Sequence, residues 1–226
     1  MTQKIKWLIR LSYWAYMFYI YLTVFRQGGT FSFLLLNTFL GYLPIEIALH
    51  INHRQSGLIF YLLIILWLLF YPNAPYLLTD FFHLARLNPF DPQTGLMNFD
   101  LHIWLTLTNI LVSALSCTIL GTWSLEYIAE QILLKLHVTS KWLRNGLITF
   151  FILASSVGIY VGRFLRLHTA YLFLSPQLVV NDLMQMWNPR MLIFVLFMSI
   201  IQMVVWVCLH CYLKINSPTS LKDQAS

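Results

Sequence analysis

Charge is what this sequence has least of. Asp, Glu, Lys and Arg make up 10% of its 226 residues, against 59% hydrophobic residues and a mean hydropathy of +0.70. Soluble domains carry roughly 25% charged residues. Too few charges are present here to cover a water-facing surface, so a soluble fold is excluded. Cysteine is nearly missing as well. Cys117, Cys208 and Cys211 form an odd-numbered set, which excludes the disulfide framework of a small secreted domain. No P-loop, Rossmann fingerprint, G-x-S-x-G elbow or kinase signature occurs, so ATP-driven transport would need a separate subunit. There is no basic run and no nucleic-acid motif. The net charge of +6 is therefore read as Lys and Arg placed beside membrane spans, and no nucleic-acid partner is expected. Internal repeats, low-complexity tracts and soluble linkers are also lacking. Residues 1–226 are expected to form a single polytopic membrane domain.

What the sequence does have is long apolar runs. Crossing ~30 Å of hydrocarbon takes about 20 mostly apolar residues. Six stretches qualify: Trp7–Phe25, Phe31–Leu49, Leu58–Leu78, Ile103–Trp123, Leu143–Phe164 and Met191–Leu213. The expectation is an all-α integral membrane protein, a bundle of about six transmembrane helices. The N-terminal run starts basic, as a signal peptide does. It is too long and too aromatic for one and lacks a small-x-small site, so it reads as a permanent span. An even number of spans puts both termini on one side. That side carries Lys4, Lys6, Arg10, Arg54, Lys135, Lys141, Arg144, Lys214 and Lys222, against Arg26, Arg86, Arg163, Arg166 and Arg190 on the other. The richer side is expected to be cytoplasmic. Two connections are longer than the rest, Ala85–His102 and His168–Arg190. The second is expected to lie partly in the interface, with Tyr171 and Trp187 as anchors. The stretch SLEYIAEQILLKLH either extends the fourth helix or lies along the membrane face.

Polar residues gather at the side opposite the termini. The third span breaks at YPNAPYLLTDFFHL, where Pro72 and Pro75 each remove a backbone donor. Asn73 and Tyr76 are placed to satisfy the freed groups. If an α-helix resumes after Pro75, then Tyr76, Asp80 and His83 fall at i, i+4 and i+7, on one face. The fourth span opens with Asp100 and His102. The fifth carries Ser156, Tyr160 and Arg163 at the same spacing, with Arg166 three residues further and His168 beyond. Gly158 and Gly162 make a G-x-x-x-G step that lets another helix approach. Two arginines about one turn apart suit an anion, because guanidinium pairs with carboxylate or phosphate in a bidentate way. Two chemistries fit the set. Asp80, His83, Asp100 and His102 offer oxygen and nitrogen ligands for a divalent metal. Alternatively, Arg163 and Arg166 pair with Asp80 and Asp100 in a structural ion-pair network, or the polar groups simply cap and anchor helix ends.

At the termini side, Glu46, His50 and His53 also fall at i, i+4 and i+7. They are a solvated helix end or part of a metal site. Cys208-Leu-His-Cys211 lacks the context of a redox motif and the ligand number of a zinc site. Its cysteines are expected to be small packing residues.

The strings PNAPYLLTDFFHL, FDL and GIYVGRFLRL, with a fainter match in LNTFLGYLPIEIAL, resemble an uncharacterised bacterial family of multi-pass membrane proteins, domain of unknown function 1361. The resemblance runs from the second span to the sixth. The family tends to read WYD where Asn98-Phe99-Asp100 stands, and it departs again at Leu167-His168-Thr169-Ala170. The resemblance implies a helical fold in a bacterial cytoplasmic membrane and no particular activity.

The residues support three classes of function. The first is a binding or transport protein whose outward polar pocket accepts an anion or a lipid headgroup. Asn73, Tyr76, Tyr160, Arg163 and Arg166 would contact the ligand, and the broken helix would line the site. The second is a membrane enzyme, metal-dependent or not, acting on a lipid-linked substrate with Asp80, His83 and Asp100 as its acid, base or ligand groups. The third is a non-catalytic subunit that contacts a membrane partner or another copy of the chain.

Overall fold

A computed structural model of the chain describes residues 1–165 and 176–215. Within them the fold is all-α, apart from one isolated antiparallel bridge between Phe90 and Met97. Six helical segments are long and apolar enough to cross a membrane: Gln3–Phe25, Phe33–His50, Gly57–Leu87, Leu101–Lys135, Lys141–Leu165 and Pro189–Ile215. Each contains most of one of the six expected runs. The chain divides into two compact units, Met1–Ser124 and Leu125–Ser226.

Unit 1 is built from α1 (Gln3–Ile20), α2 (Phe33–His50), α3 (Gly57–Phe70), α4 (Asn73–Tyr76) and the first part of α5 (Leu101–Lys135). Glycine sets the spacing of its helices at two points. A Cβ on Gly121 of α5 would stand 2.7 Å from the Ala74 Cβ. One on Gly41 of α2 would stand 2.9 Å from Leu77 Cδ1 and 3.0 Å from Cys117 Sγ. Around these contacts Tyr13, Met17, Tyr42, Ile45, Ala74, Leu77, Ala114 and Cys117 form one buried cluster. Trp67 and Tyr71 stack at 4.7 Å, and the Trp67 indole N–H donates to Ser124 Oγ at 3.1 Å.

The prolines act as the sequence suggests. The α3 helix stops at Phe70, just before Pro72. The Ala74 N–H turns back to Tyr71 O at 3.1 Å, which leaves the Phe70 carbonyl without its usual i+4 donor. Asn73 Nδ2 fills that role at 2.9 Å. Beyond Tyr76 the chain departs from the α-helix expected from the sequence. Leu77–Leu87 is a 3-10 helix, with three residues per turn. The spacing that shares a face becomes i, i+3, which retains Asp80 and His83 and drops Tyr76 from the expected stripe. The segment ends at Asn88 in the left-handed region (φ 44°).

The α5 helix is continuous for 35 residues, about 52 Å at 1.5 Å per residue. That exceeds a ~30 Å core, so SLEYIAEQILLK extends the fourth span rather than forming a separate helix. Asp100 caps its start: Oδ1 accepts from the His102 N–H at 2.8 Å.

Unit 2 contains the end of α5, α6 (Lys141–Tyr160), α7 (Pro176–Gln185) and α8 (Pro189–Ile215). Ser140 caps α6 through an N–H from Leu143 at 3.3 Å. Asn188 caps α8 through Met191 N–H at 3.0 Å, with Pro189 in the first helical position where its missing donor costs nothing. The α6 and α8 helices pack along Ile148, Phe151, Ile152, Ser156 and Ile159 on one side and Met191, Val195, Met198, Ser199 and Gln202 on the other. The last turn of α6 widens into a π-helix at Val161–Leu165. Trp187 is exposed; Tyr171 lies outside the described residues.

Candidate functional site

One end of unit 1 gathers the polar groups that the broken third span introduces. The Asp80 side chain is 1% exposed. Its Oδ2 accepts from Asn37 Nδ2 of α2 at 2.8 Å. His83, one 3-10 turn later, stands with Nδ1 3.2 Å from the Asp80 carbonyl and 3.7 Å from its carboxylate Oδ1. The Phe33 ring covers the imidazole at 4.4 Å. The Tyr76 carbonyl accepts from Thr79 Oγ1 at 2.7 Å. This station is therefore ordered and enclosed, with an imidazole beside a buried carboxylate.

The same end of unit 1 holds a cavity of about 350 Å³, within the range of small-molecule sites. It is bounded by the π-helical turn Tyr21–Phe25 that follows α1, the turn into α2 and its start, Leu87 of the 3-10 segment and the first turns of α5. Thr23, Gln27, Thr30, His102, Thr106 and Asn109 supply the polar part of its lining, and Phe31, Leu34 and Leu105 supply apolar wall. Among the described residues, none that lines it is a carboxylate. Two cations, Arg26 and Arg86, are exposed next in sequence to the lining residues Gln27 and Leu87. Hydroxyls, amides and one imidazole can donate to anionic oxygens without having to neutralise an acid first.

The residues singled out from the sequence fall in both units. Asn73, Tyr76, Asp80, His83, Asp100 and His102 belong to unit 1, Tyr160 and Arg163 to unit 2. Arg166 and His168 lie outside the described residues. Asn73 satisfies a helix end, Asp100 caps α5 and His102 lines the cavity. Tyr160 sits in an aromatic group, 5.0 Å from Phe164 and 5.7 Å from Phe194 by ring centroid. Arg163 lies in the π-helical turn, partly exposed. Among the described residues, no three His, Cys, Asp or Glu side chains converge on a point that would hold a metal ion.

At the other end of unit 1, Glu46 is taken up by Arg10. Nε lies 3.0 and 3.1 Å from the two carboxylate oxygens, and Nη2 lies 2.6 Å from Oε1. The Tyr42 hydroxyl donates to the same carboxylate. His50 joins through Nδ1, 2.9 Å from the Glu46 carbonyl. His53 does not share that face, because α2 ends at His50. Cys208 and Cys211 are exposed rather than packed, since that turn of α8 presents them outward.

Sequence reading missed two groups. One is Thr106 and Asn109 of the cavity lining on α5, although with His102 they recur at helical spacing through an apolar run. The other is Glu126, buried in unit 2, where Arg144 Nη2 and His210 Nδ1 both meet Oε1, the latter at 2.6 Å. The i, i+4 pairing of Glu126 with Glu130 concealed it as a solvated face.

No curated protein and no solved structure matches the chain. The profile of one family, described as "Protein of unknown function (DUF1361)", matches residues 36–205, well over half of the sequence.

Proposed function

The chain belongs to the DUF1361 family, and on that premise we propose that it is a membrane protein that binds an anionic headgroup or small anion at the unit 1 cavity. The observation that carries this reading is the cavity's described lining: neutral donors and one imidazole, no carboxylate among those residues, and an apolar wall suited to an acyl or other nonpolar portion. Its position at the ends of the candidate spans supports a headgroup ligand, because span ends lie near the membrane interface. The buried Asp80–His83 pair stiffens the 3-10 segment whose last residue, Leu87, lines the cavity. The excess of Lys and Arg on the termini side supports an outward-facing cavity, and the family resemblance supports a bacterial cytoplasmic membrane.

The test is ligand-dependent thermal stability in detergent. Glycerol 3-phosphate, inorganic phosphate and uncharged glycerol are compared on wild type, Thr106→Val and Asn109→Leu. A ligand at ten times its Kd stabilises the folded state by about 1.4 kcal/mol. Glycerol 3-phosphate is expected to raise Tm in wild type and not in the two variants. Glycerol is expected to do nothing. Equal shifts in all three proteins would remove the cavity from the mechanism. A shift with inorganic phosphate alone would make the ligand a free anion.

A further inference from the structure

Unit 1 holds a second hollow, of about 190 Å³, lined by Ser12, Tyr13 and Tyr16 of α1 and by Val112 and Ser116 of α5. It lies on the same pair of helices as the cavity. Tyr13 meets Cys117 Sγ at 3.6 Å. The Tyr16 hydroxyl donates to Asn109 O at 2.7 Å and lies 3.0 Å from Ser113 Oγ. Ile20 packs in one cluster with Ile110. Partners on α5 fall in number as those on α1 rise, so the two helices run antiparallel along a single seam. On α5, Leu105, Asn109, Val112 and Ser116 fall at i, i+4, i+7 and i+11, on one face. The first two line the cavity and the last two line the groove. On α1, Ser12, Tyr16 and Tyr19 share a face in the same way. Thr23, which lines the cavity, stands beyond Tyr19 and donates to its carbonyl at 2.8 Å.

The groove is made to take hydrocarbon. Its lining residues carry four hydroxyls, but those of Tyr13 and Tyr16 are turned to α5 and that of Ser116 donates to Ser113 O at 3.3 Å. The surface left facing the hollow is almost wholly apolar. Ser12 and Val112 are exposed, so the groove opens on the side of unit 1 that faces lipid. Residues 12–16 stand at the middle of the candidate span Gln3–Phe25, which puts the groove near mid-membrane. From Leu105 to Ser116 is eleven residues, roughly 16 Å of helix and about half of a ~30 Å core. That is the depth of one leaflet's chains. Between the two hollows the Tyr16 and Tyr19 rings stack at 6.2 Å, with Tyr19 exposed. Any chain of the bilayer could lie against an open groove; a donor-lined cavity at the head of the same seam selects which lipid it belongs to.

We propose that the anion taken by the unit 1 cavity is the headgroup of a lipid, and that one acyl chain of this lipid runs along the α1–α5 seam over Tyr19 and ends in the groove at Tyr16 and Val112. This placement rests on anion binding by the cavity. It adds the class of ligand, an anionic lipid rather than a free solute, and a second contact surface that holds its chain.

The test is photocrosslinking in vesicles with palmitoyl lysophosphatidic acid that carries a diazirine at the chain end, beside lysophosphatidylcholine with the same chain. Labelled peptides are identified by mass spectrometry. Hydrogen bonds to a charged group are worth a factor of about ten or more, so the anionic probe is expected to label residues 12–16 and 112–116 about tenfold more than the zwitterionic one. Thr106→Val/Asn109→Leu is expected to bring that labelling down to the zwitterionic level. Val112→Trp, which fills the groove, is expected to abolish the label at residues 12–16 and to keep the Tm shift with glycerol 3-phosphate. Ser116→Leu fills the same groove if Val112→Trp fails to accumulate, and the comparison of the two probes needs no variant. Equal labelling by both probes, with glycerol 3-phosphate still raising the wild-type Tm, would overturn the chain placement and leave the cavity a site for a free anion. Selective labelling that survives in Thr106→Val/Asn109→Leu would put the headgroup elsewhere and overturn it as well. Neither selective labelling nor a Tm shift would remove anion binding and the chain placement together.

Discussion

Gly121 and Gly146 make opposite demands on their surroundings. A Cβ on Gly121 would sit 2.7 Å from Ala74, whereas one on Gly146 would meet nothing within 4 Å. Overpacking costs about 1–3 kcal/mol, while Ala in place of Gly within an exposed helix gains about 1 kcal/mol. Gly121→Val is therefore expected to lower the melting temperature in detergent, and Gly146→Ala to leave it equal or higher. Asp80 invites a second comparison. Asp80→Asn still offers an oxygen to Asn37 Nδ2, whereas Asp80→Leu strands that amide, at a cost of about 1–3 kcal/mol. The expected order of stability is wild type, then Asn, then Leu; equal loss in both variants would mean that the carboxylate charge, not the hydrogen bond to Asn37, holds the segment. At this scale the sequence is a partial guide. It marks Asp80 and His83 because charged groups stand out in a chain with so few. It does not mark Thr106 and Asn109, because neutral polar residues inside an apolar helix look like ordinary helix–helix contacts. The pairing of Arg10 with Glu46 joins residues 36 apart, which no local spacing encodes.

Elements were legible where their pattern is long. Six apolar runs give six spans, because burying so much apolar surface in a bilayer leaves a helix as the one open-ended way to satisfy the backbone. What local pattern could not supply was the type of helix after Pro75. The choice between 3.6 and 3.0 residues per turn depends on what the segment packs against, here Asn37 and Phe33 of α2. An eleven-residue 3-10 stretch is longer than such helices usually run. Replacing Pro75 by Ala restores a donor, and is expected to shift the segment toward α-helix and separate His83 from Phe33. Loss of the ring contact would be read as a downfield shift of the His83 ring protons by NMR. The loop beyond has its own anchor. Asp91 Oδ1 accepts from the N–H groups of Gln93 at 2.8 Å and Thr94 at 2.9 Å. The Thr94 N–H first, and then that of Gln93, hold its carboxyl below the usual carboxylate range. A depressed folded pKa means that the turn is reinforced above the unfolded value of about 3.9. That support fades as pH falls through the folded pKa. The carboxyl resonance of Asp91 is expected to titrate below an ordinary aspartate, and Thr94→Pro, which removes the N–H, to bring it back up.

For the whole molecule, composition decided the environment and left the ligand open. Ten per cent charge excludes water as the main solvent, but it says nothing about which concavity among the helices receives a partner. That depends on which neutral side chains meet between the turn after α1, the start of α2 and α5, and it emerges only when the chain is folded. The measurement that bears most directly on anion binding by unit 1 is native mass spectrometry of protein extracted with its lipids, comparing wild type with Thr106→Val/Asn109→Leu. Wild type is expected to retain one anionic lipid under activation that strips zwitterionic lipid, and the double variant to lose it while still folded. Equal retention of anionic lipid by both proteins, or no preference for it in wild type, would contradict a headgroup site in the cavity.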